Sequence, residues 1–169
     1  MKNIIVIASL LFYCKISAQS SYDFADRRGS YISRNNVYEI QYDKTNWKID
    51  TAKTEWDVDF DDKFKLIRIN FIELSSFIGE KKMKASLKDQ FGKLGKVKHI
   101  KVYKKKINGL DVDYFELDLM YYGNIWKYQG FYYSGRSGTV QLDVRVQEEG
   151  IKMLQPQIDE FYKGFREIK

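Results

Sequence analysis

Cysteine, histidine and proline are almost missing from this sequence of 169 residues, which contains one of each. The single histidine, His99, and the single cysteine, Cys14, cannot assemble the usual zinc clusters. We interpret His99 as an ordinary strand residue, and we expect no cofactor. The scarcity of proline also leaves no proline-rich linker, so the sequence predicts one compact domain.

The N-terminal residues 1–18 have the three-part layout of a secretory signal peptide. Lys2 is followed by an apolar run over residues 4–14 and then by small residues that end in Ala18. Lys15 ends the apolar run well short of the about 20 residues that a membrane-spanning helix needs. We therefore expect no membrane span, Sec-type export with cleavage after Ala18, and a periplasmic or extracellular location.

Cys14 bears on two further expectations. It could carry a lipid anchor, but the bulky Tyr13 directly before it disfavours processing by a lipoprotein peptidase, which requires a small residue there. If the leader is cleaved, the only cysteine leaves with it. The mature chain then has no disulfide, and its roughly 150 residues must bury a hydrophobic core instead.

The charge balance is mildly basic. The chain has 29 basic and 23 acidic residues, and its formal charge of +6 falls to +4 when Lys2 and Lys15 leave with the leader. We interpret this as a well-mixed surface, which is not typical of a nucleic-acid binder. We expect no nucleic-acid partner, and we expect a monomer or a weak dimer.

Hydrophobic alternation predicts several strands. Tyr38, Ile40 and Tyr42 share one strand face, and residues 64–71 form a second, more buried strand. Turn residues at 107–109, 123–124 and 134–138 divide the following segment into an antiparallel meander of four strands, roughly 97–146. In the last of these strands, the valines and Leu142 lie on one face and polar side chains lie on the other.

Two segments have helical spacing instead. Met83, Leu87, Phe91 and Leu94 form one apolar stripe, and Gly95 is a plausible end of that helix. A second stripe near the C-terminus contains Ile158, Phe161, Tyr162, Phe165 and Ile168. Because proline costs about 3 kcal/mol inside a helix, Pro156 predicts that this second helix begins near Gln155.

These elements together predict an α+β fold. We expect a twisted antiparallel sheet of about five to seven strands, with a central-region helix and a C-terminal helix packed on it. The expected organisation is a signal peptide over 1–18, a flexible and polar N-terminal segment over 19–35, and a single domain over 36–169.

The stretch INGLDVDYFELDLMYYGNIWKYQGFYY, residues 107–133, contains a change of phase. Its apolar side chains lie on even positions up to Tyr114 and on odd positions from Phe115. A β-bulge at this point would keep both halves facing the core. In the next strand, Trp126, Tyr128 and Tyr132 share one phase. We predict that they form an exposed aromatic row that binds a partner, unless the N-terminal segment or a loop covers them.

Two groups of carboxylates suggest other chemistry. Asp57, Asp59 and Asp61 begin like a calcium-binding loop, but glycine and glutamate are absent from the later positions that such a loop requires. A solvated loop is the alternative interpretation. In the central strand, Glu116 and Asp118 could act with Tyr121 in a small hydrolase or lyase, although alternation on an outward face also accounts for them.

The chain resembles the PsbP-like superfamily, which includes many small exported bacterial proteins. The resemblance is carried by YEIQYDKTNWKI, by the helix that ends at Gly95, by INGLDVDYFELDL and by IDEFYKGFREI. Trp47, Gly109, Gly164 and Phe165 match a tryptophan, a turn glycine, a small residue and a phenylalanine typical of the family. The resemblance implies helices packed on an antiparallel sheet and docking to larger assemblies, and it implies no shared catalytic residues.

The leading hypothesis is an exported, non-enzymatic binding or accessory module that docks a protein partner through its aromatic sheet face. One form of it is an immunity or inhibitor protein. The alternatives are the carboxylate-dependent hydrolase or lyase, a calcium-binding module, and a module that binds an anionic surface through lysines at 81–84 and 104–106.

Overall fold

The computed structural model describes residues 27–51, 57–74 and 76–168. The predicted signal peptide, its cleavage site and Cys14 lie outside these residues. The described part contains two antiparallel sheets and two helices, which confirms the predicted α+β class.

The larger sheet has seven strands, in the spatial order β3-β4-β5-β9-β8-β7-β6. Its last four strands in chain order form the predicted meander, and neighbouring strands are antiparallel throughout. The strands are β3 (Trp47–Asp50), β4 (Asp57–Asp62), β5 (Arg68–Leu74), β6 (Lys96–Ile107), β7 (Leu110–Tyr121), β8 (Asn124–Gly135) and β9 (Gly138–Gln147).

A smaller sheet of three strands has the order β1-β2-β10, where the strands are β1 (Arg28–Ile32), β2 (Tyr38–Asp43) and β10 (Phe165–Glu167). Its first strand lies inside the segment predicted to be flexible, so the part of that segment from residue 28 to 32 is ordered by pairing with β2. β10 closes the other side of β2, where the Arg166 guanidinium donates to the Glu39 carboxylate at 2.6 Å.

Tight turns of two residues connect the long strands. Asn108 and Gly109 both have positive φ angles, 47° and 81°, and so do Tyr122 and Gly123, at 46° and 80°. Turns of this kind match the twist of the strands that they join. The second turn is therefore centred one residue earlier than the expected Gly123–Asn124.

The two helices lie on opposite faces of the large sheet. Helix α1 (Glu80–Gly92) buries Met83, Leu87 and Phe91 as predicted, whereas Leu94 follows the end of the helix and is exposed. Helix α2 (Ile151–Lys163) packs Phe161 and Tyr162 against the other face, together with the small sheet. The large sheet consequently has two separate cores.

Helix α2 begins at Ile151 rather than near Gln155, and Pro156 lies inside it. The side chain of Pro156 is exposed. The Lys152 carbonyl, which would accept a hydrogen bond from an ordinary residue at position 156, therefore lies on the side of the helix that faces water. This placement reduces the usual cost of an internal proline.

The predicted bulge in β7 is wrong. The pairing of β7 with β8 is regular from Asp113 to Tyr121, and the irregularity lies in β6, between Val97 and His99. The phase changes because the core changes: Tyr114 contributes to the α2 face and Phe115 to the α1 face. A regular strand does this without an extra residue, because successive side chains point to opposite faces.

Gly164 joins the end of α2 to the small sheet at very close range. A Cβ atom at this position would lie 1.8 Å from the carbonyl oxygen of Gln41, whose own N–H donates to the Gly164 carbonyl at 2.9 Å. The neighbouring Phe165 is fully buried. The small residue in the motif is thus required by backbone contact.

We predict that Gly164→Ala lowers the free energy of unfolding by about 2–3 kcal/mol, because the added carbon must displace backbone. The matched control is Gly92→Ala at the end of α1, where a Cβ would meet nothing within 4 Å. Chemical denaturation of both variants measures the difference. Equal stability of the two variants would contradict the packing at Gly164.

Candidate functional site

The predicted aromatic row shares one face of β8, but two of its three rings are buried. Tyr128 is 6% exposed and Tyr132 is 1% exposed. Their rings lie 4.5 Å from that of Phe91 and 5.7 Å from that of Phe115, respectively. The expectation of an exposed row is therefore wrong for both tyrosines, because α1 covers them. Only Trp126 remains partly accessible.

The buried hydroxyl of Tyr132 lacks a good partner. Burial raises the pKa of Tyr132, and Asp143 raises it further, whereas Ser86 of α1 opposes both. Among the described residues, however, none meets hydrogen-bonding geometry with this hydroxyl. Burial likewise raises the pKa of Tyr128, so neither phenol is suited to act as a base near neutral pH.

Trp126 lies next to the part of this sheet face that α1 leaves uncovered. The Arg145 guanidinium of β9 lies over the Trp126 ring, with its central carbon 5.1 Å from the ring centroid. Pairing of β4, β5, β9 and β8 places Asp61, Arg68, Arg145 and Tyr128 in one row across the sheet. Arg145 is the last residue of the polar face that the sequence predicts for the last strand, so this row lies at the end of that face.

Two arginines are therefore directly opposite each other on neighbouring strands, an arrangement that costs stability. Arg68 is compensated, because Asp61 accepts two hydrogen bonds from it, at 2.6 and 2.8 Å. Arg145 is exposed and has no carboxylate within ion-pairing distance among the described residues. Its guanidinium lies over the Trp126 ring. Burial raises the pKa of the Tyr128 hydroxyl, and the Arg145 guanidinium opposes that rise.

The turn before β5 brings apolar side chains to the same place. The Asp62 carboxylate accepts hydrogen bonds from the backbone N–H groups of Phe64, at 3.1 Å, and Ile67, at 2.7 Å. Lys65 has a φ of 57°, which reverses the chain. Residues 64–66 are thus a turn rather than the start of the predicted strand, and Leu66 is left 55% exposed.

We call the resulting depression the end groove. It has a volume of about 510 Å³ and lies between this turn, the ends of β8 and β9, and the start of α2, where Met153 is 73% exposed. Three basic residues and one acidic residue give its lining a formal charge of +2. The lining residues are Asp61, Lys65, Leu66, Arg68, Trp126, Arg145, Val146, Gln147, Gly150, Met153 and Leu154.

The acidic run of the calcium hypothesis forms a strand, β4, and not a loop. Asp61 is engaged by Arg68, and Asp59 is almost fully buried, with the Arg68 guanidinium 3.7 Å away. Within the described ranges, no group of three or more acidic, histidine or cysteine side chains is positioned to hold a metal ion. Because these residues form a strand and not a binding loop, a calcium-binding role remains a prediction.

The residues of the hydrolase hypothesis do not converge. The Tyr103 hydroxyl donates to the Glu116 carboxylate at 2.7 Å, and the Lys127 ammonium donates to the Asp118 carboxylate at 2.8 Å. Both acids lie on the α2 face of β7. Tyr121 has odd parity on the same strand, so its side chain points to the opposite face.

The sequence-based site missed Arg145, Leu66 and Met153. Alternation places Arg145 on the polar face of the last strand, but its position opposite Arg68 depends on strand order, which alternation does not give. Leu66 and Met153 are apolar, so the sequence alone does not distinguish them from core residues. A signal was present just before Leu66, because Lys63 and Lys65 interrupt the apolar residues that a buried strand would have there.

The architecture was compared with solved structures. The solution structure of cyanobacterial PsbP (CyanoP) from Synechocystis sp. PCC 6803 superimposes with a TM-score of 0.63 at 14% sequence identity, over 84% of this chain and 93% of that one. The fold is PsbP-like. This confirms the predicted resemblance, although no protein-family model matches the chain and no curated protein matches it in sequence.

Two further solved structures have similar coverage of this chain. LpqN of Mycobacterium tuberculosis, which is involved in cell envelope biogenesis, gives a TM-score of 0.55 at 8% identity over 84% of this chain and 91% of that one. A protein from Bacteroides thetaiotaomicron gives 0.58 at 14% identity, over 85% of this chain but 49% of that one. Identities this low establish the fold alone.

The residues that suggested the PsbP-like resemblance are structural. Trp47 packs on Phe161 of α2 with ring centroids 4.6 Å apart, and the Asn108 side-chain amide donates to the Phe165 carbonyl at 3.0 Å. None of these residues lines the end groove. In the described part of the chain, no helix is long and apolar enough to cross a membrane.

We predict that Tyr132→Phe leaves the free energy of unfolding unchanged or raises it by up to about 1 kcal/mol, because the lost hydroxyl has no good partner. Tyr114→Phe is the matched control. Its hydroxyl donates to Gln129 at 3.0 Å in the other core, and its removal should cost about 1–2 kcal/mol. Urea unfolding measures both, and a larger loss for Tyr132→Phe would contradict the assignment.

Proposed function

We propose that this protein is an exported accessory module without a catalytic centre of its own, and that it binds a protein partner through the end groove. The PsbP-like fold and the expected leader support the first part of this proposal. The second part replaces the sheet-face surface expected from the sequence, of which only Trp126 is retained. A role as an immunity or inhibitor protein stays a prediction.

The observation that carries the proposal is the state of Arg145. A guanidinium that lies over tryptophan, opposite another arginine and without a carboxylate partner among the described residues, is pre-oriented and electrostatically unsatisfied. Arginine and tryptophan contribute disproportionately to binding energy at protein interfaces. A carboxylate from a partner could form two parallel hydrogen bonds with Arg145, and this would relieve its repulsion with Arg68.

The apolar part of the end groove indicates the rest of the partner's chemistry. Leu66 and Met153 both line the depression and are largely exposed, so their burial would contribute about 1.5–3 kcal/mol each. Methionine adapts readily to different contact shapes. The groove therefore suits a protein segment that carries an acidic side chain close to an apolar one.

We predict that Trp126→Ala and Arg145→Gln each reduce recovery of a specific partner at least tenfold, about 1.4 kcal/mol or more, in pull-downs from the native periplasm or culture medium. The free energy of unfolding should change by less than about 1 kcal/mol in Arg145→Gln, because relief of the repulsion with Arg68 offsets the lost contact with Trp126. Thermal denaturation of each variant measures this second effect.

Arg136→Gln is the matched control for Arg145→Gln. Arg136 is an exposed arginine in the β8–β9 hairpin, at the opposite end of these strands, and it pairs with Glu167. Its variant should recover the partner as the wild type does. Equal recovery of every captured protein by wild type, Trp126→Ala and Arg145→Gln would overturn the end groove as the docking site.

A further inference from the structure

The positive charge of this protein is concentrated in one segment. Residues 81–106 contain eleven lysines and one aspartate, a formal charge of +10. The rest of the chain has 18 basic and 22 acidic residues, and so a formal charge of −4. The well-mixed surface expected from overall composition is therefore wrong, because an average over the chain hides this separation.

The fold places this segment at one edge of the large sheet. It consists of α1 and β6, and β6 is the last strand of the large sheet, with α1 packed beside it. Because the apolar stripe of α1 faces the sheet, its lysines project outward. We call the outer surface of α1 and of the loop that follows it the lysine face; its exposed lysines are Lys81, Lys82, Lys84, Lys88 and Lys93.

Few of these lysines are neutralised within the protein. At the far end of β6, Lys104 and Lys106 pair with acids of β7, at 2.6 and 2.9 Å. On the lysine face itself, Lys93 pairs with Asp89 at 3.3 Å. The remaining lysines of the face have no carboxylate within 4.0 Å among the described residues.

Exposed apolar side chains border the lysine face at one end. Tyr122, in the turn between β7 and β8, is 87% exposed, and the ring of Tyr121 stacks edge-on beside it at 4.4 Å. Lys96 pairs with Met120, the residue before Tyr121, so this turn lies next to the start of β6. Leu94, which is also exposed, lies in the loop that enters the same strand.

We infer that the lysine face binds the surface of an anionic lipid bilayer, with Tyr122 and Leu94 entering its interfacial layer. Clustered lysines are attracted to anionic headgroups through diffuse charge, without a defined pocket. Tyrosine is favoured at the boundary between headgroups and acyl chains, and lysine stems also extend along such a boundary. Neither these lysines nor Tyr122 or Leu94 line the end groove.

The test is co-sedimentation of the full chain with phosphatidylcholine vesicles, with and without phosphatidylglycerol. We expect binding only to the anionic vesicles, and we expect it to weaken steeply as rising salt shortens the Debye length to about 8 Å. Lys81→Glu with Lys88→Glu should raise the Kd about thirtyfold or more, since each lysine near such a surface strengthens binding about fivefold. Tyr122→Ala should weaken binding at every salt concentration.

The matched control is Lys48→Glu with Lys152→Glu, which changes the net charge equally on β3 and α2. It should bind anionic vesicles nearly as well as the wild type. An equal loss in both double variants would mean that overall charge suffices, and the lysine face would then be wrong. Absence of binding to anionic vesicles, or a Tyr122→Ala variant that binds them unchanged, would also overturn the inference, as would binding of a soluble polyanion in preference to vesicles.

Discussion

The structure depends on one constraint, which is that the central strands must bury apolar side chains on both of their faces. Helix α1 and helix α2 cover opposite sides of the sheet, and β7 and β8 pass between them. A strand with only one apolar face could cover the apolar stripe of one helix but would leave the core under the other helix without apolar side chains. This is why large rings lie on both phases of residues 124–135, and why most of them are unavailable as a binding surface.

What remains available lies beyond the area that α1 covers, next to the start of α2. At the ends of β4, β5, β9 and β8, the α1 face becomes polar, and Arg68 and Arg145 are held side by side by backbone pairing. A neutral side chain at either position would remove this repulsion, but both positions are arginine. Sites that cost stability without contributing to packing are typical of binding surfaces, because selection for function maintains them against the many substitutions that would stabilise the fold.

The fold was largely predictable from the sequence because its strongest signals are local. Alternation in residues 139–146, the turn at Asn108 and Gly109, and the stripe of Met83, Leu87 and Phe91 all depend on neighbours in the chain. The site was less predictable. Whether Tyr128 is exposed depends on which face α1 covers, and whether Arg145 is compensated depends on strand order, and neither is encoded within a short window. The predicted bulge at Tyr114 was wrong for the same reason. A change of phase fits a bulged strand with one core as well as a regular strand with a core on each face.

The small sheet also has a consequence for the order of events during folding. Its middle strand, β2, is completed only when β10 arrives from the other end of the domain, and the Arg166 to Glu39 contact spans 127 residues of sequence. Contacts of such long range form slowly, because a large loop must close before they contribute. A ribosome-bound chain that lacks its last residues cannot bury Phe165 or close this sheet. The domain is therefore expected to stay incompletely folded until β10 has been synthesised and can pair with β2.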